Sequence, residues 1–261
     1  MAEEMRPRRP SSFGSLLYGA AGILLGLVGF ASDNFATDWQ HVKEAIPFHG
    51  TLAYGTAAPE LFGGAAMFWR STARRGAGVL ALVYLAFALI WGPVILDAPQ
   101  VWGSWGNLFE ELSIVISGAA IYASVAPAKS ARHRRTGPLS GLYGICPISF
   151  GLTHLLYLSA CAPWVPDWLP FGGVFWAAAT GALFLLAAFS ILTGLLAGPA
   201  SRLLAIMIVS FEVLVWVPKL LAAPRDHFTW SGNAICIALA GGAWAVADLI
   251  NQSRKPDSKP P

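Results

Sequence analysis

Glu60, His154 and Glu212 are the residues whose type and setting point to chemistry, because each ionisable group lies inside a long apolar run. In hydrocarbon such a group is costly and is retained for a partner or a task. Glu60 directly follows Pro59, which has no N–H to give the carbonyl of Gly55, so a free acceptor sits one turn from the carboxyl. This arrangement suits proton exchange or the binding of a polar headgroup; equally, the acid can be neutral and hydrogen-bonded to a neighbouring helix. His154 follows Pro147 and reads either as a hydrogen bond between helices or as a ligand. Haem ligation would need a second axial residue at matching depth, and no other His falls inside an apolar run. Glu212 has Lys219 two turns further along one face, so a structural contact between them competes with a functional role. Glu110, Glu111 and Lys219 are secondary candidates, the two acids standing at the start of an apolar segment, where carboxylates complement a helix N-terminus. Pro59 and Pro147 are the expected helix kinks.

Other chemistry has little support. Cys146, Cys161 and Cys236 include no C-x-x-C pair, which argues against a disulfide framework or a zinc site, and no metal site is expected. There is no P-loop, dinucleotide-binding glycine fingerprint, H-E-x-x-H or G-x-S-x-G. The net charge of +3 arises from short basic runs between apolar segments, which is not a nucleic-acid signature.

The elements that must carry these residues are set by composition. Hydrophobic residues make up 56% of the chain and charged residues 12%, with a mean hydropathy of +0.58. A soluble domain carries about a quarter charged residues, so this is an all-α polytopic membrane protein, since hydrocarbon offers no partner to free backbone groups. A span needs about 20 mostly apolar residues, and eight segments meet this: Ser15–Ser32, Leu52–Trp69, Gly76–Leu96, Phe109–Val125, Leu139–Ser159, Gly172–Leu195, Leu203–Leu221 and Gly232–Ile250. Fourteen Lys and Arg residues fall on one side, in both tails and in the loops at 70–75, 126–138 and around Arg202. Lys43, Lys219 and Arg225 fall on the other, so both termini are expected in the cytoplasm, with the bilayer an inner (plasma) membrane. Eight of the eleven tryptophans, Trp39 and Trp216 among them, then form an aromatic belt at the outer interface.

The segments also repeat. LIWGPVILDAPQ at Leu89–Gln100 returns 125 residues later as LVWVPKLLAAPR at Leu214–Arg225, with six of twelve positions identical. The same offset relates Leu17-Tyr18-Gly19 to Leu142-Tyr143-Gly144 and Trp105 to Trp230, and a slightly shorter one brings Pro47-Phe48 onto Pro170-Phe171. The expected organisation is a tail (1–12), a first four-helix repeat (13–125), a basic linker (126–138), a second four-helix repeat (139–250) and a second tail (251–261), the repeats running parallel. Under this alignment Glu60 falls on Ala182, Glu212 on Phe87 and His154 on Gly29. None of the three is duplicated, which favours one site made jointly by the halves, or one active and one degenerate site, one per half. Gly19, Gly22, Gly26 and Gly29 give the first helix a small-residue face for close helix contact, within the chain or with another subunit.

Four features together resemble the DoxX family of small bacterial four-helix membrane proteins, here in tandem. They are the Gly-x-x-His of Gly151–His154; the small-residue second helix with its acid in PELFGGAA; the proline-bearing ends Trp91-Gly92-Pro93 and Trp216-Val217-Pro218; and a fourth helix opening near Trp105-Gly106-Asn107 or Trp230-Ser231-Gly232-Asn233. The first half lacks the His and the second lacks the acid. The resemblance implies a four-helix bundle per unit and membership of redox-linked membrane assemblies, whose known relatives include a thiosulfate:quinone oxidoreductase subunit and a maturation factor for methylamine dehydrogenase. The leading expectation is a membrane subunit or accessory of a quinone-linked or other redox system. Glu60, His154 and Glu212 would line a shared site for a quinone headgroup or a proton, and a redox protein or quinone would be the partner besides the bilayer. A small-solute or proton-coupled transporter and a non-catalytic scaffold are the alternatives.

Overall fold

A computed structural model describes residues 12–125 and 137–253. Most of both tails and of the basic linker lies outside the described residues, and with them most of the positive charges behind the expected orientation.

The chain forms nine helices over these residues. They are α1 (Phe13–Ser32), α2 (His49–Ala66), α3 (Arg70–Asp97), α4 (Trp102–Ser124), α5 (Gly137–Leu156), the short α6 (Leu158–Cys161), α7 (Gly172–Thr193), α8 (Ala197–Ala222) and α9 (His227–Ser253). Ser12 caps α1, its Oγ accepting from the Ser15 N–H at 3.3 Å. Both α2 and α7 start from a Phe in left-handed backbone, Phe48 at φ 61° and Phe171 at φ 73°, each preceded by a proline. That conformation is uncommon for a bulky residue, so the two Pro-Phe pairs matched in the sequence make the same unusual turn.

Pro59 and Pro147 lie within unbroken helices. The irregularity falls elsewhere: in α8 an α-helix (Ala197–Phe211) passes through a π-helical turn (Glu212–Trp216) before the last segment (Val217–Ala222). Pro218 cannot donate to the Leu214 carbonyl, and the wider turn directly precedes it. The matching Pro93 in α3 leaves that helix regular. In both A-P turns the proline carbonyl accepts from the indole six residues on, Trp105 to Pro99 at 3.0 Å and Trp230 to Pro224 at 2.9 Å.

The helices pack as two rings that share a wall. Helices α1, α2, α3 and α4 follow one another around the first ring, and α5, α7, α8 and α9 around the second. Each first helix closes onto the other half's last one, α1 on α9 and α5 on α4, while α4 and α9 meet in the middle. Both apolar cores draw on these two central helices: Ile114 and Ile121 of α4 join Ala234 and Ala238 of α9 in one, and Ala120 joins Ala240 and Val246 in the other. α9 is buried nearly all round, which its run of Ala and Gly permits.

Glycines set the closest approaches. A Cβ at Gly26 would stand 2.6 Å from the Ala57 carbonyl and the Leu61 nitrogen, and one at Gly151 would stand 2.8 Å from the Gly181 carbonyl and 2.7 Å from Leu185. The glycine face of α1 is therefore spent inside the bundle, against α2. Gly151 makes a contact of the same kind between α5 and α7.

Six helices, α1, α3, α5, α7, α8 and α9, are long and apolar enough to cross a membrane. Large apolar side chains such as Leu82, Leu89, Leu186 and Leu203 are exposed around them, a belt suited to lipid. This is an integral membrane helical protein. α2 and α4 stand where two further spans are expected, but polar residues lower their hydropathy: His49, Thr56 and Glu60 in α2, and Asn107, Glu110 and Glu111 in α4.

Candidate functional site

The second half holds a partly open cavity of about 170 Å³. Its wall is mostly aromatic and aliphatic: Phe150 of α5, Phe184 of α7, Ile208, Phe211 and Trp216 of α8, and Ile235 and Leu239 of α9. Five polar or sulfur-bearing side chains interrupt it, His154 and Thr153 from α5, Glu110 from α4, Cys161 from α6 and Cys236 from α9. A mainly apolar pocket with a few placed polar groups is the usual form of a small-molecule site.

His154 is held on three sides. Its Nδ1 is 2.9 Å from the Thr180 hydroxyl and close to the Ala177 carbonyl. The hydroxyl itself lies 2.8 Å from the Trp176 carbonyl. With the hydroxyl proton given to a carbonyl, Nδ1 carries the ring proton and Nε2 is left as acceptor. The imidazole stacks on Phe211 at 6.0 Å and tilts against Phe184 at 5.3 Å, which fixes its plane. Across the cavity, Glu110 Oε2 accepts from the Trp39 indole at 2.6 Å. Glu212 opens the π-turn beside Cys236, and its Oε2 is buried without a hydrogen-bond partner. The Cys236 thiol donates to the Ile208 carbonyl at 3.4 Å. Cys161 is half-buried, and burial pushes its thiol above the ordinary value.

One end of the cavity is roofed by rings. Trp39 packs on Trp216 and Phe228 at 5.9 and 5.6 Å, and Trp164 packs on Trp216 at 5.3 Å. Lys219 Nζ lies 4.1 Å above the Trp164 ring, so it makes a cation–π contact and no ion pair with Glu212 among the described residues. Gly232 lies directly under the Trp216 ring, where a Cβ would collide with it.

The corresponding space in the first half is filled. The segment after α1 dips into the bundle and buries Phe35, Ala36, Trp39 and Gln40. Gln40 donates to Glu60 Oε1 at 2.6 Å and accepts from the Ala36 N–H at 2.9 Å, while the Trp39 carbonyl accepts from the Trp91 indole at 3.0 Å. Beside Glu60 lie Tyr84, whose hydroxyl has no partner, and Glu111, with both carboxyl oxygens buried and unpartnered.

The three leading candidates are thus not gathered in one place. His154 lines the cavity, Glu212 flanks it behind Cys236, and Glu60 belongs to the other half. Of the secondary candidates, Glu110 faces the cavity and Glu111 the first-half interior, from adjacent positions on the shared helix α4. Neither acid is at the start of its helix, because α4 begins a full two turns earlier, at Trp102. Sequence reasoning missed Gln40, which carries no pattern that distinguishes it from any loop amide. It also placed Trp39 in an interfacial belt, whereas the side chain is buried. The joint lining by Cys161 and Cys236 has no sequence spacing to reveal it. Among the described residues, no group of three His, Cys, Asp or Glu is arranged to hold a metal ion.

Comparison with family models, with curated proteins and with solved structures finds no match to this chain.

Proposed function

We propose that this chain is a DoxX-like membrane protein of eight spans, arranged as two parallel four-helix copies with both termini on the cytoplasmic side of a bacterial inner membrane. Its second copy binds the headgroup of a lipid-soluble, single-ring molecule of the quinone class, and it serves as a subunit or accessory of a redox system. The cavity carries this reading. An apolar cavity of about 150 Å³ takes a benzene-sized molecule, so about 170 Å³ admits one ring and little more. The aromatic walls offer stacking partners, Nε2 of His154 accepts from a quinol hydroxyl, and Glu110 sits opposite to exchange a proton. The pairing of first and last helices, the two left-handed Phe turns and the two indole-to-proline bonds support the tandem-copy reading.

Less supports the alternatives. A carrier built on repeats breaks its helices at matching positions in both halves, and here the π-turn of α8 has no counterpart in α3. A scaffold would present a small-residue face to a partner, and the glycines of α1 are occupied within the bundle.

The test is titration of the detergent-purified protein with a short-chain quinone, read by quenching of tryptophan fluorescence. Saturable quenching is expected. His154→Ala should weaken it by about tenfold, equivalent to about 1.4 kcal/mol, as for a lost hydrogen bond. Glu60→Gln should leave it unchanged. Non-saturable quenching, or equal binding by His154→Ala, would overturn the assignment.

A further inference from the structure

Glu111 is fully buried, yet neither of its carboxyl oxygens has a hydrogen-bond partner, and the Tyr84 hydroxyl, 1% exposed, has none either. Buried polar atoms are nearly always satisfied, and an unsatisfied group is commonly met by an internal water or an ion. Three unpartnered atoms of one interior provide the two to four polar partners such a water needs.

The electrostatics of this interior are one-sided. Glu111 interacts with Glu60 from α2 and Glu110 on its own helix, while Tyr18 from α1 and Tyr84 from α3 are its other titratable neighbours. Tyr18 is already committed, its hydroxyl donating to the Ile114 carbonyl at 3.0 Å. Gln40 adds a neutral amide to Glu60, and Cys236 of α9 stands toward Glu110. No cation is among these groups. Two acids in an apolar interior without a counter-charge do not both ionise; a proton neutralises at least one.

We propose that the first half contains an occluded proton-binding site, in which Glu60 and Glu111 share an exchangeable proton through internal water that also bonds the Tyr84 hydroxyl, and that this proton exchanges with the second-half cavity through Glu110. Geometry gives the route: α4 is the wall between the halves, and its consecutive residues 110 and 111 face opposite sides of it. The transfer moves a proton alone. An O–H bond of Glu110 breaks as one forms on the Glu111 carboxylate, and Glu110 is reprotonated from the cavity. The site requires no ligand in the cavity, so it stands apart from the quinone reading.

Infrared spectroscopy of the full-length protein in detergent, with H₂O replaced by D₂O, tests this through the C=O band of protonated carboxyls. The wild type should show such a band at neutral pH. Glu111→Gln should remove part of it and shift the remainder, Glu60→Gln should do the reverse, and Tyr84→Phe should shift it without loss. Glu110→Gln should slow its deuteration. His154→Ala, which disables the ligand site proposed above, should leave the band in place, so the two readings fail separately. Absence of the band, independent behaviour of Glu60 and Glu111, or deuteration indifferent to Glu110→Gln would each overturn the proposal. The Gln and Phe replacements preserve shape, and any one that fails to fold leaves the others to decide.

Discussion

In the first half, the segment after α1 sends Phe35, Ala36 and Gln40 down between the helices, and Gln40 ties it to Glu60. In the second, the segment after α5 contributes only Cys161 to the corresponding space, and a cavity remains. The polar residues are distributed in a complementary way. Glu60 and Glu111 lie in the first interior, while His154 lines the cavity of the second and Glu212 flanks it beside Cys236. Similar helices at similar distances thus support two unlike interiors. One is plugged, with its acids shut away from any solute; the other is open, with an imidazole on its wall. A few side chains in two connecting segments decide which is which.

The largest expected effect tests what the halves share. Gly26→Leu and Gly151→Leu each drive a side chain into a neighbouring backbone, a cost beyond the roughly 1–3 kcal/mol of ordinary overpacking. Neither variant should give monodisperse protein on size exclusion, and survival of just one would mean that the helix contacts are not equivalent. Next comes the plug. Gln40→Leu leaves the Glu60 carboxyl and the Ala36 N–H without partners and should lower stability by about 1–3 kcal/mol in thermal unfolding. An unchanged midpoint would show that the plug contributes nothing to the fold.

Gly232→Ala should act in the open half alone, tilting Trp216 into the cavity and weakening quinone quenching by about tenfold, or about 1.4 kcal/mol. Its first-half counterpart Asn107→Ala should not alter that titration. Glu111→Leu removes the carboxyl that the internal water of the closed half would bond, leaving that water and the Tyr84 hydroxyl short of a partner, and should lower stability by about 1 kcal/mol in thermal unfolding; a rise would mean that the two oxygens are simply unsatisfied. The smallest effect is kinetic. Cys161 should react with maleimide faster than the buried Cys236. Because burial raises its thiol, less thiolate is present at neutral pH than for a free cysteine, and its labelling rate should keep climbing above the ordinary thiol range.

Much of the fold was legible in the sequence because hydrocarbon leaves the backbone little choice: each of the eight apolar segments lies on a long helix, with ends displaced by a few residues. α2 and α4 are the informative cases. The sequence reads both as runs of about 20 mostly apolar residues, yet as helices they fall short in apolarity because they carry the acids, which neighbouring helices cover. The candidate site was legible only by residue type. Glu60, His154 and Glu212 stand out along the chain, but nothing in their spacing says that a loop amide already occupies the first, or that a π-turn places the third behind a cysteine. Trp39 looks from its position like a bilayer anchor; only the course of its loop makes it the common partner of both interiors, through its indole to Glu110 and through the next residue to Glu60.

The closure of α1 onto α9 also governs how the protein can be made. The ribosome delivers α1 well before α9, so α1 waits through the synthesis of every helix between them for its most extensive neighbour. Four helices released early would leave the glycine-lined contact of Gly14 with Gly241 and Ala245 unformed, and a chain truncated before His227 would lack one of the two helices that both rings share. Insertion must therefore keep the early helices apart from foreign partners until α9 arrives, and a stop codon just before His227 should be as damaging as one near α1.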